Sequence, residues 1–236
     1  MLGRFLEFSL PTRDIQASLD FYGKLGFSEA QVGETWAHPY AVVTDGRIHI
    51  GLHQESVDEA TLTFVKPELL KHFEQLEARG IEFEYQRLGN DVFNEVAWRD
   101  LDGHLLRLIE ARTFSPAKRA STQTSQFGYF AELALPSESL DVAKAYWENL
   151  GFVGMDELDD RLPHVTCTSD FIDVGLYAAA SLRRAGLRFE VDNVAATLSS
   201  IATAGIQPTK DAALRGPRAA LLVAPEGTPI LIVAAA

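Results

Sequence analysis

Apolar and polar residues alternate from Phe5 to Leu10, with Phe5, Glu7 and Ser9 on one face of a strand and Leu6, Phe8 and Leu10 on the other. After Pro11 the period lengthens to that of a helix. Ile15, Leu19, Tyr22 and Leu25 fall on one side, Asp14 stands where an N-cap is needed and Gly26 where the helix must stop. Strands over Tyr40–Thr44 and Arg47–His53 follow, joined by the hairpin signal Asp45-Gly46. Next come a strand at Thr61–Val65, a helix opening near Pro67 with Leu69, Leu70, Phe73 and Leu76 apolar and Gly80 as its end, and strands at Asn94–Arg99 and Leu105–Glu110.

The same order is written again 125 residues later. Phe5-Leu6-Glu7-Phe8-Ser9-Leu10-Pro11 returns as Phe130-Ala131-Glu132-Leu133-Ala134-Leu135-Pro136, and Leu25-Gly26-Phe27 as Leu150-Gly151-Phe152. Ser139 takes the N-cap position of the second copy. Ile48-His49-Ile50-Gly51-Leu52-His53 is answered by Ile172-Asp173-Val174-Gly175-Leu176-Tyr177. Strands at His164–Ser169, Phe171–Tyr177, Leu187–Val191, Ala219–Val223 and Ile230–Val233 and a helix through Val194, Leu198 and Ile201 complete it. A Ser-, Thr- and Gln-rich stretch at 113–126 separates the copies and reads as a linker between halves 1–112 and 127–236. The pattern predicts an α+β fold, a tandem repeat of βαβββ-type modules forming curved mixed sheets backed by helices.

Composition adds limits. Apolar residues make up 47% of the chain, enough for real cores, and the single cysteine, Cys167, excludes a disulfide scaffold. A formal charge of −12 argues against nucleic acid as a partner. Neither a signal peptide nor a membrane-spanning run is expected, which points to the cytoplasm and away from membranes. Gly-rich phosphate loops and nucleophile elbows are absent.

With its Leu10-Pro11 strand end, its Asp14, Phe21-Tyr22 and Leu25-Gly26-Phe27 helix and its turn Asp100-Leu101-Asp102-Gly103-His104, the chain resembles the vicinal oxygen chelate superfamily of glyoxalases, bleomycin-resistance proteins and extradiol dioxygenases. The resemblance implies a glyoxalase-like cup whose metal ligands, His or Glu in metal-binding members, come from first and last strands. Those places are Glu7 and Glu132, and Arg107 and Leu231. Arg has no lone pair to give and Leu no donor atom, so two glutamates remain, a poor metal site. The expected function is therefore metal-independent binding of a small amphipathic or aromatic molecule, without a cofactor.

Phe5, Phe130, Leu231 and Tyr177 are the expected apolar lining, with Glu7, Glu132 and Arg107 as polar contacts and Arg107 bridging the two carboxylates where relatives use a cation. His49, His53 and Asp173 share the strand faces that would complete the cup. Trp36 stands where it can rim the cup or pack beneath it, Trp98 reads as core and His104 as surface. The acidic balance suits a cationic ligand. The alternative is a metal-dependent lyase or dioxygenase using Glu7, Glu132 and a histidine, His49 foremost, on Mn, Fe or Zn. An interaction module with a vestigial cup is a third possibility. The expected assembly is a monomer or homodimer.

Overall fold

The computed structural model describes residues 2–31, 36–110, 124–155, 163–178, 182–209 and 218–235. The first half runs β1 (Arg4–Pro11), α1 (Ile15–Lys24), β2 (Ser28–Glu29), β3 (Tyr40–Thr44), β4 (His49–His53), β5 (Thr61–Val65), α2 (Leu69–Glu77), β6 (Phe83–Arg87), β7 (Glu95–Arg99) and β8 (Leu105–Ile109). The second half repeats it as β9 (Tyr129–Ser137), α3 (Leu140–Asn149), β10 (Val153–Gly154), β11 (His164–Thr168), β12 (Val174–Ala178), β13 (Gly186–Val191), α4 (Val194–Thr203), β14 (Ala219–Val223) and β15 (Pro229–Ala234). Most of the expected linker, 113–123 of 113–126, lies outside the described residues. Thr124 and Gln126 lie against the first half, their N–H groups bonding to the carbonyls of Asp45 and Leu25 at 3.0 and 2.8 Å.

Two mixed sheets result, ordered β2-β3-β4-β1-β5-β8-β7-β6 and β10-β11-β12-β9-β13-β15-β14. In the first, β1 and β5 meet antiparallel at the centre, and each is flanked by a parallel partner, β4 and β8. That is two βαβββ modules side by side. The strand β6 escaped the sequence reading because its residues, Phe-Glu-Tyr-Gln-Arg, are mostly exposed at a sheet edge and carry almost no apolar alternation.

Side chains on the helix side of both sheets share one core, in which Phe8, Leu10, Ile50 and Leu52 pack with Tyr22 and Leu25, and Leu133, Leu135, Val174 and Leu176 with Trp147 and Leu150. Phe27 and Phe189 join the halves edge to face at 6.4 Å. Asp14 caps α1 as expected, its carboxylate accepting from Ala17 N at 3.0 Å, whereas Ser139 makes no side-chain cap. Gly26 and Gly151 take φ of +87° and +100° at the helix ends, a region where glycine is favoured.

Turns lock the halves to each other. Glu226, in the β14–β15 turn, accepts from Tyr22 Oη (2.7 Å) and Ser18 Oγ (3.0 Å) on α1. Reciprocally, the β7–β8 turn sits on the start of α3, where Asp102 accepts from Glu138 N at 2.9 Å and His104 Nε2 lies 2.8 Å from the Pro136 carbonyl oxygen. His104 thus bridges the halves instead of facing solvent. Trp98 is core, fully buried, and its indole donates to Tyr146 Oη at 3.0 Å.

Cys167 is buried, and burial, helped by the charge of Glu148, pushes its thiol up to about 12. Only the thiolate is nucleophilic, so the folded chain is expected to resist iodoacetamide at pH 8 and to react once unfolded. Rapid labelling of the folded protein would show the thiol to be accessible.

Candidate functional site

A bulge sets up each site. Between Phe5 and Glu7 the pairing of β1 with β5 slips by one residue, and the pairing of β9 with β13 slips at the matching place. An extra residue reverses the in–out alternation on one side of it. Phe5 consequently joins the helix-side core, edge-on to Phe64 at 5.4 Å, and Phe130 does the same against Phe189 at 5.6 Å. The expected lining by Phe5 and Phe130 is corrected on this ground. Leu6 takes the open face instead, packing with Val65, Ile109 and Trp36 beside Glu7.

In the first cup Glu7, 3% exposed, accepts from Ser9 Oγ at 2.7 Å and lies 2.8 Å from His53 Nε2. Ser9 Oγ in turn lies 2.8 Å from Thr63 Oγ1 on β5. His53 is fully buried, lies parallel to Tyr40 (5.7 Å, 11°) and edge-on to Trp36 (5.5 Å, 81°), and its Nδ1 is 2.8 Å from His38 Nε2. A carboxylate only accepts, so with Glu7 ionised and both rings neutral the hydrogen-bond chain assigns His53 the Nε2–H tautomer and His38 the same, leaving His38 Nδ1 as the open acceptor. Burial, then the neighbouring His53 and Arg107, lower the His38 pKa and favour this neutral form. Arg107 on β8 pairs with Glu95 at 3.1 Å and lies over the Trp36 ring at 5.3 Å. Trp36 therefore rims this cup. His49 stands at the start of β4, partly buried, its pKa lowered by burial against the opposing charges of Glu7 and Asp45.

The second cup keeps a glutamate, a histidine, a tyrosine and an arginine but moves the last three to neighbouring strands. His53 is replaced by Tyr177 and its ladder partner Tyr40 by His164, so phenol and imidazole change places, still stacked at 4.7 Å. The arginine moves as well. In the first cup it stands on β8, opposite Thr63; in the second, Arg188 stands on β13, opposite Leu231. From there it reaches the glutamate. Glu132 accepts from Arg188 Nη1 at 3.0 Å, Tyr177 Oη at 2.5 Å and Thr166 Oγ1 at 2.8 Å, with His164 Nε2 at 3.8 Å. Burial, and then the charge of Glu132, raise the Tyr177 pKa well above the usual phenol, keeping it a donor. Leu231 packs on Tyr177 with Ala134 and Leu182. Asp173 is engaged with Thr168 Oγ1 at 2.5 Å.

These positions revise the expected site. Glu7 and Glu132 belong to separate sheets, each already hydrogen-bonded, and Arg107 pairs with Glu95 without bridging them. The set Glu7, Glu132 and His49 is not brought together, and among the described residues no group of three His, Cys, Asp or Glu is placed to hold a metal ion. With one carboxylate neutralised by an arginine and the other committed to His53, the donor set does not fit a divalent cation. His38, Glu95, His164, Thr166 and Arg188 were missed by sequence reasoning. Arg188 aligns with Thr63 in the repeat, which hides it, while the proximity of His38 to His53 follows only from the path of the chain before β3. A cleft of about 380 Å³ lined by residues such as Glu68, Lys71, Asn90 and Asn94 lies at the start of α2.

The fold is shared by solved structures of low sequence identity. Catechol 2,3-dioxygenase aligns with a TM-score of 0.61 at 16% identity, covering 99% of this chain and 88% of that one. For 2,2',3-trihydroxybiphenyl 1,2-dioxygenase from dibenzofuran-degrading Sphingomonas wittichii strain RW1 the values are 0.65, 13%, 100% and 91%. For the Mn(II)-bound glyoxalase from Novosphingobium aromaticivorans they are 0.63, 15%, 98% and 82%. No match was found among curated proteins. Among the described residues no helix is long and apolar enough to cross a membrane. Residues 4–108, the first sheet up to the penultimate residue of β8, match the family model of the Glyoxalase/Bleomycin resistance protein/Dioxygenase superfamily, and the second sheet repeats the strand order of the first short of β6.

Proposed function

We propose that this protein binds a small amphipathic or aromatic molecule in its first cup without a metal ion. The observation that carries the reading is the state of the two glutamates: Glu132 is tied to Arg188, Tyr177 and Thr166, and Glu7 to His53 and Ser9. What remains at the first cup is an aromatic and imidazole wall of Trp36, His38 and Tyr40 around Arg107, the kind of lining that holds a flat organic molecule. We place this activity in the cytoplasm.

The names of the similar solved structures favour the alternative, a metal-dependent lyase or dioxygenase, more than they favour metal-free binding. That reading needs three or more donors around an ion, and Glu7, Glu132 and His49 do not supply them here. Elemental analysis separates the two. Protein purified without chelator is expected to hold well under one equivalent of Mn, Fe or Zn per chain, and aromatic compounds that raise its melting temperature are expected to lose that effect in Trp36→Ala. A stoichiometric ion, lost on Glu7→Ala, would replace this reading with the metal-dependent one.

A further inference from the structure

Two buried N–H groups of the first cup, Trp36 Nε1–H and Arg107 Nε–H, have no hydrogen-bond acceptor among the described residues. They belong to one stack, the Arg107 guanidinium lying 5.3 Å from the Trp36 ring centroid. Glu95 Oε1 is 3.1 Å from Arg107 Nε, close enough for charge attraction but outside hydrogen-bond alignment. Buried donors are rarely left unmatched, and two neighbouring ones mark a place where an acceptor is wanted.

We infer that the first cup takes a neutral, planar aromatic ligand that presents a carbonyl oxygen to Trp36 Nε1–H and Arg107 Nε–H, its ring lying among Trp36, His38 and Tyr40. The inference rests on the binding function proposed above and names the ligand class. Charge selects a neutral acceptor. Glu95 offsets Arg107 and Glu7 adds a second carboxylate, so the cup offers an incoming carboxylate no uncompensated cation. An ammonium group has no lone pair to offer and would leave both N–H donors unmatched. This runs against the cationic ligand that the overall charge of −12 suggests. A cup 's polar atoms, and not the net charge of the surface, decide what it holds.

The test uses the full chain and four naphthalenes of one shape, 2-acetylnaphthalene, 2-ethylnaphthalene, 2-naphthoate and 2-naphthylmethylammonium, titrated calorimetrically. The ketone is expected to bind about tenfold more tightly than the hydrocarbon, the return on matching buried donors, and more tightly than either ion. Trp36→Phe keeps the ring and deletes the N–H, and Arg107→Lys keeps the charge and deletes Nε. Each is expected to shrink the ketone's advantage over the hydrocarbon, compared within the same variant, to about threefold or less. In the parent, the indole proton of Trp36, assigned through Trp36→Phe, is expected to move downfield with the ketone alone. Equal affinity for ketone and hydrocarbon, or a preference for either ion, overturns the carbonyl inference and leaves small-molecule binding standing. Failure of all four to bind overturns both.

Discussion

Arg188→Leu is expected to lower the unfolding free energy by roughly 3–5 kcal/mol, the cost of leaving a buried carboxylate without its cation. Glu132 is 2% exposed and the Arg188 guanidinium stands 3.0 Å from it, with Tyr177 and Thr166 as neutral donors on the remaining lone pairs. Those two donors soften the charge but do not neutralise it. Arg188→Leu combined with Glu132→Gln is expected to recover a substantial part of the loss, because the unpaired charge goes with the substitution. Arg107→Leu, at the place in the first cup that the repeat pairs with Leu231, is the informative contrast. Its partner Glu95 is only partly buried, and the expected loss is about 1–2 kcal/mol. Urea denaturation of the parent and these three variants near neutral pH measures this. Equal losses at Arg107 and Arg188 would mean that the two cups are wired alike after all.

The second large effect is expected at Gly175, where alanine should cost about 2–4 kcal/mol through overpacking and broken hydrogen bonds. A Cβ there would lie 2.3 Å from Glu132 Oε1 and 2.7 Å from Tyr177 Cε2; its counterpart at Gly51 would lie 2.3 Å from Glu7 Oε1. The tip of a glutamate would ordinarily swing aside. Here each carboxylate is held, Glu132 by Arg188, Tyr177 and Thr166 and Glu7 by His53 and Ser9, so moving it breaks the network. Gly175→Ala in a Glu132→Ala background is therefore expected to cost about half as much as in the parent. If the cost is the same in both backgrounds, the backbone conformation and not the carboxylate accounts for the glycine.

Both expectations depend on contacts that were only half legible in the chain. The two matched glutamates, the two matched glycines and the repeated strand, helix and turn signals are local, and periodicity places them on strands without knowledge of the neighbours. A bulge is a mismatch between two strands, and neither strand alone announces it. Reading β1 as strictly alternating put Phe5 beside Glu7, whereas the slip against β5 sends Phe5 to the core and brings Leu6 to the cup. The same error recurs at Phe130 for the same reason.

The sequence by itself determined the duplicated α+β fold, the order of its main elements, the buried core stripe through Phe8 and Leu10, and the fact that last-strand positions Arg107 and Leu231 cannot donate to a metal. Those follow from side-chain chemistry and from periods of two and 3.6 residues, which are properties of the chain. Tertiary structure alone decided which residues meet. The repeat suggested that Glu7 and Glu132 converge, but each is enclosed by its own sheet, because the antiparallel pair at a sheet's centre is β1 with β5, or β9 with β13, all within one half. It also decided that Arg188 reaches the first-strand glutamate of its cup whereas Arg107 pairs with Glu95, and that His38, fifteen residues before His53, closes on it. Long-range pairing sets these distances, and one step across a parallel ladder, about 5 Å, separates an arginine that neutralises a carboxylate from one that pairs elsewhere.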